Sequence, residues 1–346
     1  MKALQLPALH QPLALVDLPD PTLGPGEVIV DVKAAALNHR DVFVQQGLYP
    51  GIALPVIPGS DGAGVVSAVG EGVDPVWIGR EVVINPALNW GPKQAYYTLQ
   101  FKILGMPDNG TFAEKVVIPV TNVYAKPTHL SVEQAAALPL AGLTAWRALM
   151  TRTALSVASQ TPERVLITGI GGGVALFALQ FAVAAGAEVW VTSGSQEKLD
   201  KAVAMGAKGG VNYKEPDWHK KLLSAATQDN ATLAKAGYFD VIIDSAAGPD
   251  FARLTQVAAL GGRIAVFGGT TGKITDVQPS VVFFKHLSIF GVTMGSDAEF
   301  AAMLQFVSDH KIVPVIDSVR PLAEAQAAYD RMTAGQQLGK LVLSVG

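Results

Sequence analysis

The chain has 346 residues, 49% of them apolar and only 16% charged, with a formal net charge of -3 and no cysteine. That length suggests two domains, and the near-neutral balance gives no reason to expect nucleic acid or an anionic membrane as a partner. Without cysteine there is no disulfide, no thiolate nucleophile and no Cys-ligated zinc site. A charged share below the usual roughly 25% leaves a thin charged surface, which favours an oligomer.

The first twelve residues, MKALQLPALHQP, are broken by Pro7, His10 and Pro12 and lack the apolar core of a signal peptide. The long apolar run Val174 to Val191 contains Gln180, Gly186 and Glu188, and it reads as helix, turn and strand rather than a membrane span. A cytoplasmic protein is the expectation.

Up to about residue 120 the pattern is one of short strands. Val28, Val30 and Val32 alternate with Ile29, Asp31 and Lys33 after the turn Gly24-Pro25-Gly26. GAGVVSAVGEGV (62–73), REVVINP (80–86) and FAEKVVIP (112–119) follow, cut by Gly and Pro as in a compact antiparallel β domain. Between them Ala87 to Asn109 has no period and reads as a long excursion, which in a compact domain is functional or the remnant of something functional.

After Pro127 the texture changes. Ser131 and Gln134 fit a capping box that starts a helix, Pro139 interrupts it, and Leu143 to Arg152 continues as helix. From Val165 strands and helices alternate, with strands expected at 165–168, 188–192, 210–213, 239–244, 262–267 and 287–292. Helices are expected at 196–205, 217–226 and 250–259. Six such strands make a doubly wound parallel sheet. Helices at 297–310 and 322–333 and a strand at 340–345 close the chain, and that orphan strand is expected to pair with the N-terminal β domain. The domain reading is 1–126, 127–296 and 297–346, the last a return to the first.

The first βαβ unit runs from Val165 to Lys198. Its turn carries Gly169, Gly171, Gly172 and Gly173, then Val174, with Ile170 where a strict GxGxxG has glycine. Such a turn lets backbone approach a pyrophosphate at a helix N-terminus. At the end of the second strand an NAD site carries a carboxylate for the ribose 2′-hydroxyl. Here Thr192-Ser193-Gly194-Ser195 stands instead, with Lys198 in the following helical turn, a pattern that suits a 2′-phosphate through charge-assisted bonds. Glu197 is the one acidic residue nearby, and a Glu at a helix start is common without any ligand.

ALNHRD (36–41), GLYPGIALPVIPGSDGAGVVSAVGEGV (47–73), LPLAGLTAWRAL (138–149), the Gly-rich turn and GKLVL (339–343) together resemble the medium-chain dehydrogenase/reductase superfamily. The detailed match is to its zinc-independent quinone oxidoreductase branch. The resemblance implies an α/β fold: a six-stranded doubly wound parallel (Rossmann) sheet plus a GroES-like β-rich catalytic domain completed by the C-terminal segment.

In the zinc branch of that superfamily a Gly-His-Glu segment supplies a metal ligand, and Ser60 and Asp61 stand at its last two positions here. The Cys ligands expected near Asn38 and Ala141 are missing, as is the four-Cys structural cluster whose place is the 87–109 excursion. The six His (10, 39, 129, 219, 286, 310) have no short ligand spacing. The expectation is therefore no metal, and hydride delivery from NADPH to a quinone or α,β-unsaturated carbonyl. The alternatives are an NADP(H)-binding sensor without turnover and, requiring bound metal, an alcohol dehydrogenase.

The resemblance assigns the 2′-phosphate to Gly194, Lys198 and Tyr213 and the cofactor more widely to Thr144, Gly171, Gly172, Gly173, Val174 and Ser193. It adds Phe267 and Gly268, Phe290, Gly291 and Val292, and Lys340 at cofactor phosphate. Asn38 and Tyr49 are the catalytic candidates, an amide to hold the acceptor carbonyl or a ribose hydroxyl and a phenol to donate to a developing enolate. The acceptor is expected among Asn38, Tyr49, Thr144 and the loop around Asn89-Trp90. His39 is more simply a packed histidine, and the product proton comes from solvent. The apolar strand at 287–292 would be an exposed edge in a monomer, and pairing with its copy predicts a homodimer.

Overall fold

The computed structural model describes residues 1–158 and 160–346. Its contacts divide it into a unit made of Met1–Leu143 with Met294–Gly346 and a second unit, Thr144–Thr293.

The chain starts with an antiparallel pair, β1 (Lys2–Gln5) and β2 (Ala14–Asp17). The long strand β3 (Glu27–Ala36) follows and leads into a short helix, α1 (His39–Gln45). Val28, Val30 and Val32 are fully inward on β3, as their alternation predicts. Next come β4 (Asp61–Val69) and β5 (Glu81–Ile84), then β6 (Ala87–Leu88) paired with β7 (Lys102–Ile103), then β8 (Lys115–Pro119) and β9 (Val123–Ala125). The 87–109 excursion is thus a lobe closed by its own two-residue ladder. Trp90 is its core, with Tyr97 and Phe101 edge-on to it at 5.7 and 5.5 Å, so its place is inside the lobe rather than on an acceptor wall.

Helix α2 (Val132–Ala137) begins with the predicted capping box, Ser131 and Gln134 exchanging bonds of 3.2 and 2.9 Å. It packs against β3 and β4. That packing moves the boundary expected at 126/127 to the helix α3 (Pro139–Trp146), along which the chain passes into the second unit. A π-helical segment, Arg147–Arg152, continues it.

In the second unit parallel strands alternate with helices: β10 (Arg164–Ile167), α4 (Gly173–Ala184), β11 (Glu188–Ser193), α5 (Gln196–Ala204) and β12 (Gly209–Asn212). Helices α6 (Trp218–Thr227) and α7 (Ala231–Ala236) lead to β13 (Phe239–Asp244), and α8 (Phe251–Val257) to β14 (Ala258–Val266). Helix α9 (Pro279–Phe284) and β15 (Ser288–Gly291) complete it. The sheet order is β12-β11-β10-β13-β14-β15, all parallel. The order reverses between β10 and β13, where doubly wound folds bind nucleotides. Helix α4 is apolar on nearly every side because it is a core helix, with Leu176, Phe177, Leu179 and Phe181 all buried. No helix among the described residues is long and apolar enough to cross a membrane.

The return begins with α10 (Asp297–Asp309), capped by Ser296 and Glu299. Strand β16 (Ile316–Pro321), a 3-10 turn, α11 (Ala325–Thr333) and β17 (Lys340–Ser344) end it. As predicted, β17 pairs with the N-terminal strands: the order is β16-β17-β3-β4-β5-β9, with β8 also on β3. Strand β16 was not expected. Its sequence, IDSVRP, is polar and Pro-terminated, which suits the edge position it takes. The core beneath this sheet joins Phe112, Tyr329, Leu341 and Leu343.

Candidate active site and cofactor site

The cofactor side is built on the carboxyl ends of β10, β11 and β13. Gly169 (φ +65°) and Gly171 (φ +130°) take backbone conformations that a side chain resists. Gly172 caps α4, and a Cβ there would meet nothing within 4 Å, while one on Gly171 would stand 2.7 Å from Lys198 Cδ. Gly173 and Val174 form the first turn of α4, so free N–H groups and a positive dipole end face this open, glycine-lined space. A pyrophosphate fits it. The turn is held from behind, with Thr192 Oγ1 accepting from Gly169 N–H at 3.2 Å and Ser193 Oγ donating to the Ile170 carbonyl at 3.3 Å.

Sequence reasoning missed Asp244, buried at the end of β13. Its carboxylate accepts from Thr168 Oγ1 at 2.7 Å and from Ala247 N–H at 2.8 Å, tying the turn after β10 to the loop after β13. Burial pushes its carboxyl above the ordinary range against those bonds. The signal was an Asp closing an otherwise apolar strand. Beside it Phe267 N–H donates to Asp244 O, and a Cβ on Gly268 would stand 2.3 Å from Ser245 O.

At the tip of β11 the structure brings together Gly194, Tyr213 and a residue not anticipated, Lys214. A Cβ on Gly194 would lie 2.7 Å from Lys214 Cε and 2.9 Å from the Tyr213 hydroxyl. Lys198 lies instead against Gly171. Glu197 is exposed and pairs with Lys201 at 2.7 Å, one helical turn away. Phe290 and Gly291 lie in the edge strand β15, with the Arg152 guanidinium 5.0 Å over the Phe290 ring, and Val292 follows buried.

In the β-rich unit Asn38 caps α1, its N–H donating to the Asp41 carboxylate at 2.8 Å. Its side-chain Nδ2 donates to Asp61 Oδ2 at 2.9 Å, and its Oδ1 accepts from Lys340 Nζ at 2.7 Å. Lys340 also donates to Asp61 Oδ2 at 2.9 Å and to Leu37 O at 2.7 Å. An ammonium has three donors, and all three are used. The expectation that Lys340 reaches a cofactor phosphate is therefore corrected: β17 is an interior strand, and the side chain is 4% exposed.

Arg40, also buried, donates to Ser60 Oγ at 2.7 Å and to the carbonyls of Leu104 and Met106, and it lies 5.0 Å over the Tyr49 ring. Tyr49 is half-buried against Val44 and Met106. Asn38 and Tyr49 thus belong to one network through Arg40, Ser60 and Asp61. Thr144 is buried on α3, one turn beyond Leu140, whose N–H donates to Asp61 Oδ1 at 2.8 Å.

Asn38 and Ser60, with Ala141 next to Leu140, stand around Asp61 in the region where the resemblance places the ligands of the zinc branch. They offer an amide, a hydroxyl bonded to Arg40 and the Leu104 carbonyl, and a methyl group, next to a buried ammonium. That set does not fit a catalytic zinc.

Burial pushes the Asp41 carboxyl from its ordinary 3.8 up to about 6, against the pull of Arg40 and the Asn38 N–H. A carboxyl whose folded pKa is raised stabilises the fold fully below its unfolded pKa and loses that contribution as pH rises through the folded value. Ionised above pH 6, it costs up to about 3 kcal/mol. Asp41→Asn removes the ionisation and retains an acceptor oxygen. Urea titrations at about pH 5 and pH 8 are expected to show stability falling with pH less in the variant. Identical pH dependence in the two proteins would refute this origin.

Comparison with known proteins agrees with the fold. The chain matches the alcohol dehydrogenase GroES-like domain over residues 24–128 and the zinc-binding dehydrogenase family over 173–309. It is 37% identical to the zinc-type alcohol dehydrogenase-like protein YogA of Leptosphaeria maculans, across 97% of this chain and 96% of that one. With quinone oxidoreductase of Rattus norvegicus the identity is 30%, across 92% and 88%. A solved structure of NAD-dependent alcohol dehydrogenase superposes with a TM-score of 0.90 at 39% identity, over 100% of both chains. With these relatives and this architecture, the chain belongs to the medium-chain dehydrogenase/reductase superfamily of oxidoreductases.

Proposed function

We propose that the protein is a zinc-independent, NADPH-dependent reductase of quinones or α,β-unsaturated carbonyls. The observation that carries this reading is the set around Asp61, where Asn38, Ser60 and Ala141 stand in place of the zinc branch's ligands and Lys340 sets a buried ammonium on Asn38 and Asp61. Without a Lewis acid, alcohol oxidation loses its usual driver, whereas an acceptor that is already electrophilic needs mainly orientation and exclusion of water. The similarity to quinone oxidoreductase supports the same class.

The cofactor, when bound, supplies a hydride from its nicotinamide C4. The Gly169–Val174 turn holds the pyrophosphate, and Gly194, Lys198, Tyr213 and Lys214 favour a 2′-phosphate over a bare ribose hydroxyl. Asn38 and Tyr49 serve the acceptor, which takes the hydride at its conjugated carbon and a proton from solvent at the position where charge builds. A quinone leaves as hydroquinone, an enone as the saturated carbonyl.

Purified protein is expected to oxidise NADPH with at least one member of a panel of quinones, enones and aldehydes. Cofactor binding without turnover on the whole panel would favour the sensor reading, and stoichiometric zinc in a metal assay would revive the alcohol dehydrogenase.

The same reading includes a homodimer. Strand β15 ends the parallel sheet with an unpaired edge, Ile289 on it is 43% exposed, and Phe283 and Phe284 on α9 are exposed beside it in sequence. Pairing β15 with its copy covers that edge. Sedimentation is expected to give a dimer at micromolar concentration, and Ile289→Lys to weaken it. A wild-type monomer would overturn the pairing.

A further inference from the structure

The two ends of an asparagine amide are nearly identical in shape, so its orientation is set by its partners. Around Asn38 those partners leave no choice. Lys340 can only donate, and an ionised Asp61 can only accept. Turning the amide over would set NH2 against an ammonium 2.7 Å away and C=O against a carboxylate 2.9 Å away.

Neither partner is free to follow such a turn. Lys340 also holds Leu37 O, and Asp61 takes the Leu140 N–H at its other oxygen while its main-chain carbonyl accepts from Thr111 Oγ1 at 2.7 Å. The backbone of Asn38 is fixed separately by Asp41. Of the amide's two hydrogens, one is committed to Asp61 and one remains. The ammonium on Oδ1 also polarises the amide, strengthening that remaining donor. A buried ion pair is a poor device for stability alone, since desolvation offsets much of its attraction, whereas it is well suited to fixing orientation.

We propose that Lys340 and Asp61 are positioning residues, locking the Asn38 amide so that its remaining N–H is presented to the carbonyl oxygen of the acceptor. As hydride reaches the conjugated carbon, charge builds on that oxygen, and a donor already in place meets it without reorganisation. The inference rests on the reductase reading for its substrate, but the locked amide can be observed without turnover.

The test is a double-mutant cycle between Lys340→Met and Asn38→Leu, read as kcat with an enone and as the dissociation constant for NADPH. Lys340→Met is expected to lower kcat about 10- to 100-fold and to leave NADPH binding within about twofold. The double variant is expected to be no slower than Asn38→Leu alone, because the lysine acts through the amide. Retention of kcat in Lys340→Met, or losses that multiply in the double variant, would overturn the proposal. Since Lys340→Met leaves Asp61 buried alone, the cycle is repeated with Lys340→Met/Asp61→Asn, which buries no charge.

Side-chain amide spectra of asparagine-labelled protein supply the second readout. One Asn38 Nδ2 proton is expected to exchange slowly in wild type and quickly in Lys340→Met/Asp61→Asn. Fast exchange in wild type overturns the lock, whereas slow exchange in a wild type that reduces no acceptor supports the lock and tells against the reductase reading.

Discussion

Lys198→Ala is expected to raise the Michaelis constant for NADPH by about 10- to 100-fold, the equivalent of ~1.5–3 kcal/mol for a hydrogen bond to a charged group. The NADH constant should change by less than about threefold. The tip of β11, Thr192-Ser193-Gly194-Ser195, has no carboxylate to attract a ribose hydroxyl, so under the proposed function discrimination rests on the cations and on Tyr213, 42% exposed beside Gly194. Lys214→Ala is expected to act in the same direction, because its side chain reaches Gly194 more directly. The position of Lys198 against Gly171 offers a sharp alternative. If Lys198→Ala weakens NADPH and NADH equally, the lysine serves the pyrophosphate, and Lys214 with Tyr213 carries the phosphate preference. The similarity to an NAD-dependent alcohol dehydrogenase makes this comparison of cofactors the decisive one.

Gly110→Ala is expected to destabilise the protein by about 2–4 kcal/mol, and to lower turnover in whatever fraction stays folded. Three backbone passes meet at this point with no side chain between them. A Cβ on Gly110 would stand 2.0 Å from Gly59 O, 2.6 Å from Gly105 Cα and 2.7 Å from Pro58 O. None of these is the flexible end of a side chain. The passes are also bonded, Gly110 N–H to Ile57 O at 2.7 Å and Thr111 N–H to Gly59 O at 2.9 Å. Relief therefore has to move Gly59, and with it Ser60 and Asp61, the residues that hold Arg40 and Asn38. Chemical denaturation compares the two proteins directly, and a variant within about 0.5 kcal/mol of wild type would show the crossing to be pliant.

The inner parallel strands β10 and β13 could be read from the sequence because each is a short apolar run bounded by turn residues, and burial on both faces demands that composition. The long β3 was legible for the opposite reason, its strict alternation. Strand β16 was not, since an edge strand carries few of the constraints that make a strand recognisable. The site followed the same division. The glycine turn and the missing carboxylate after Thr192 are local patterns, each legible within a few consecutive residues. Lys340 is the contrary case. Its partners Leu37, Asn38 and Asp61 lie 303, 302 and 279 residues away, and a lysine in a terminal strand looks like a solvent-facing one. Only the insertion of β17 between β16 and β3 turns it inward. Lys214 and Asp244 lay within reach of sequence reasoning, each at the end of a parallel strand.

The chain order of the strands has a consequence for synthesis. The parallel unit is continuous, Thr144–Thr293, and everything it needs has left the ribosome once that stretch is out. The β-rich unit is not. Its N-terminal strands emerge first but must keep an open edge on β3 until β17 has been made. The first half of the protein to be translated is therefore the second to be finished, and until then its exposed strand edge is open to a trapping chaperone or a wrong partner. The ammonium that fixes Asn38 arrives with that same late strand, so the nascent chain can acquire its nucleotide-binding fold before it acquires the lock on its amide.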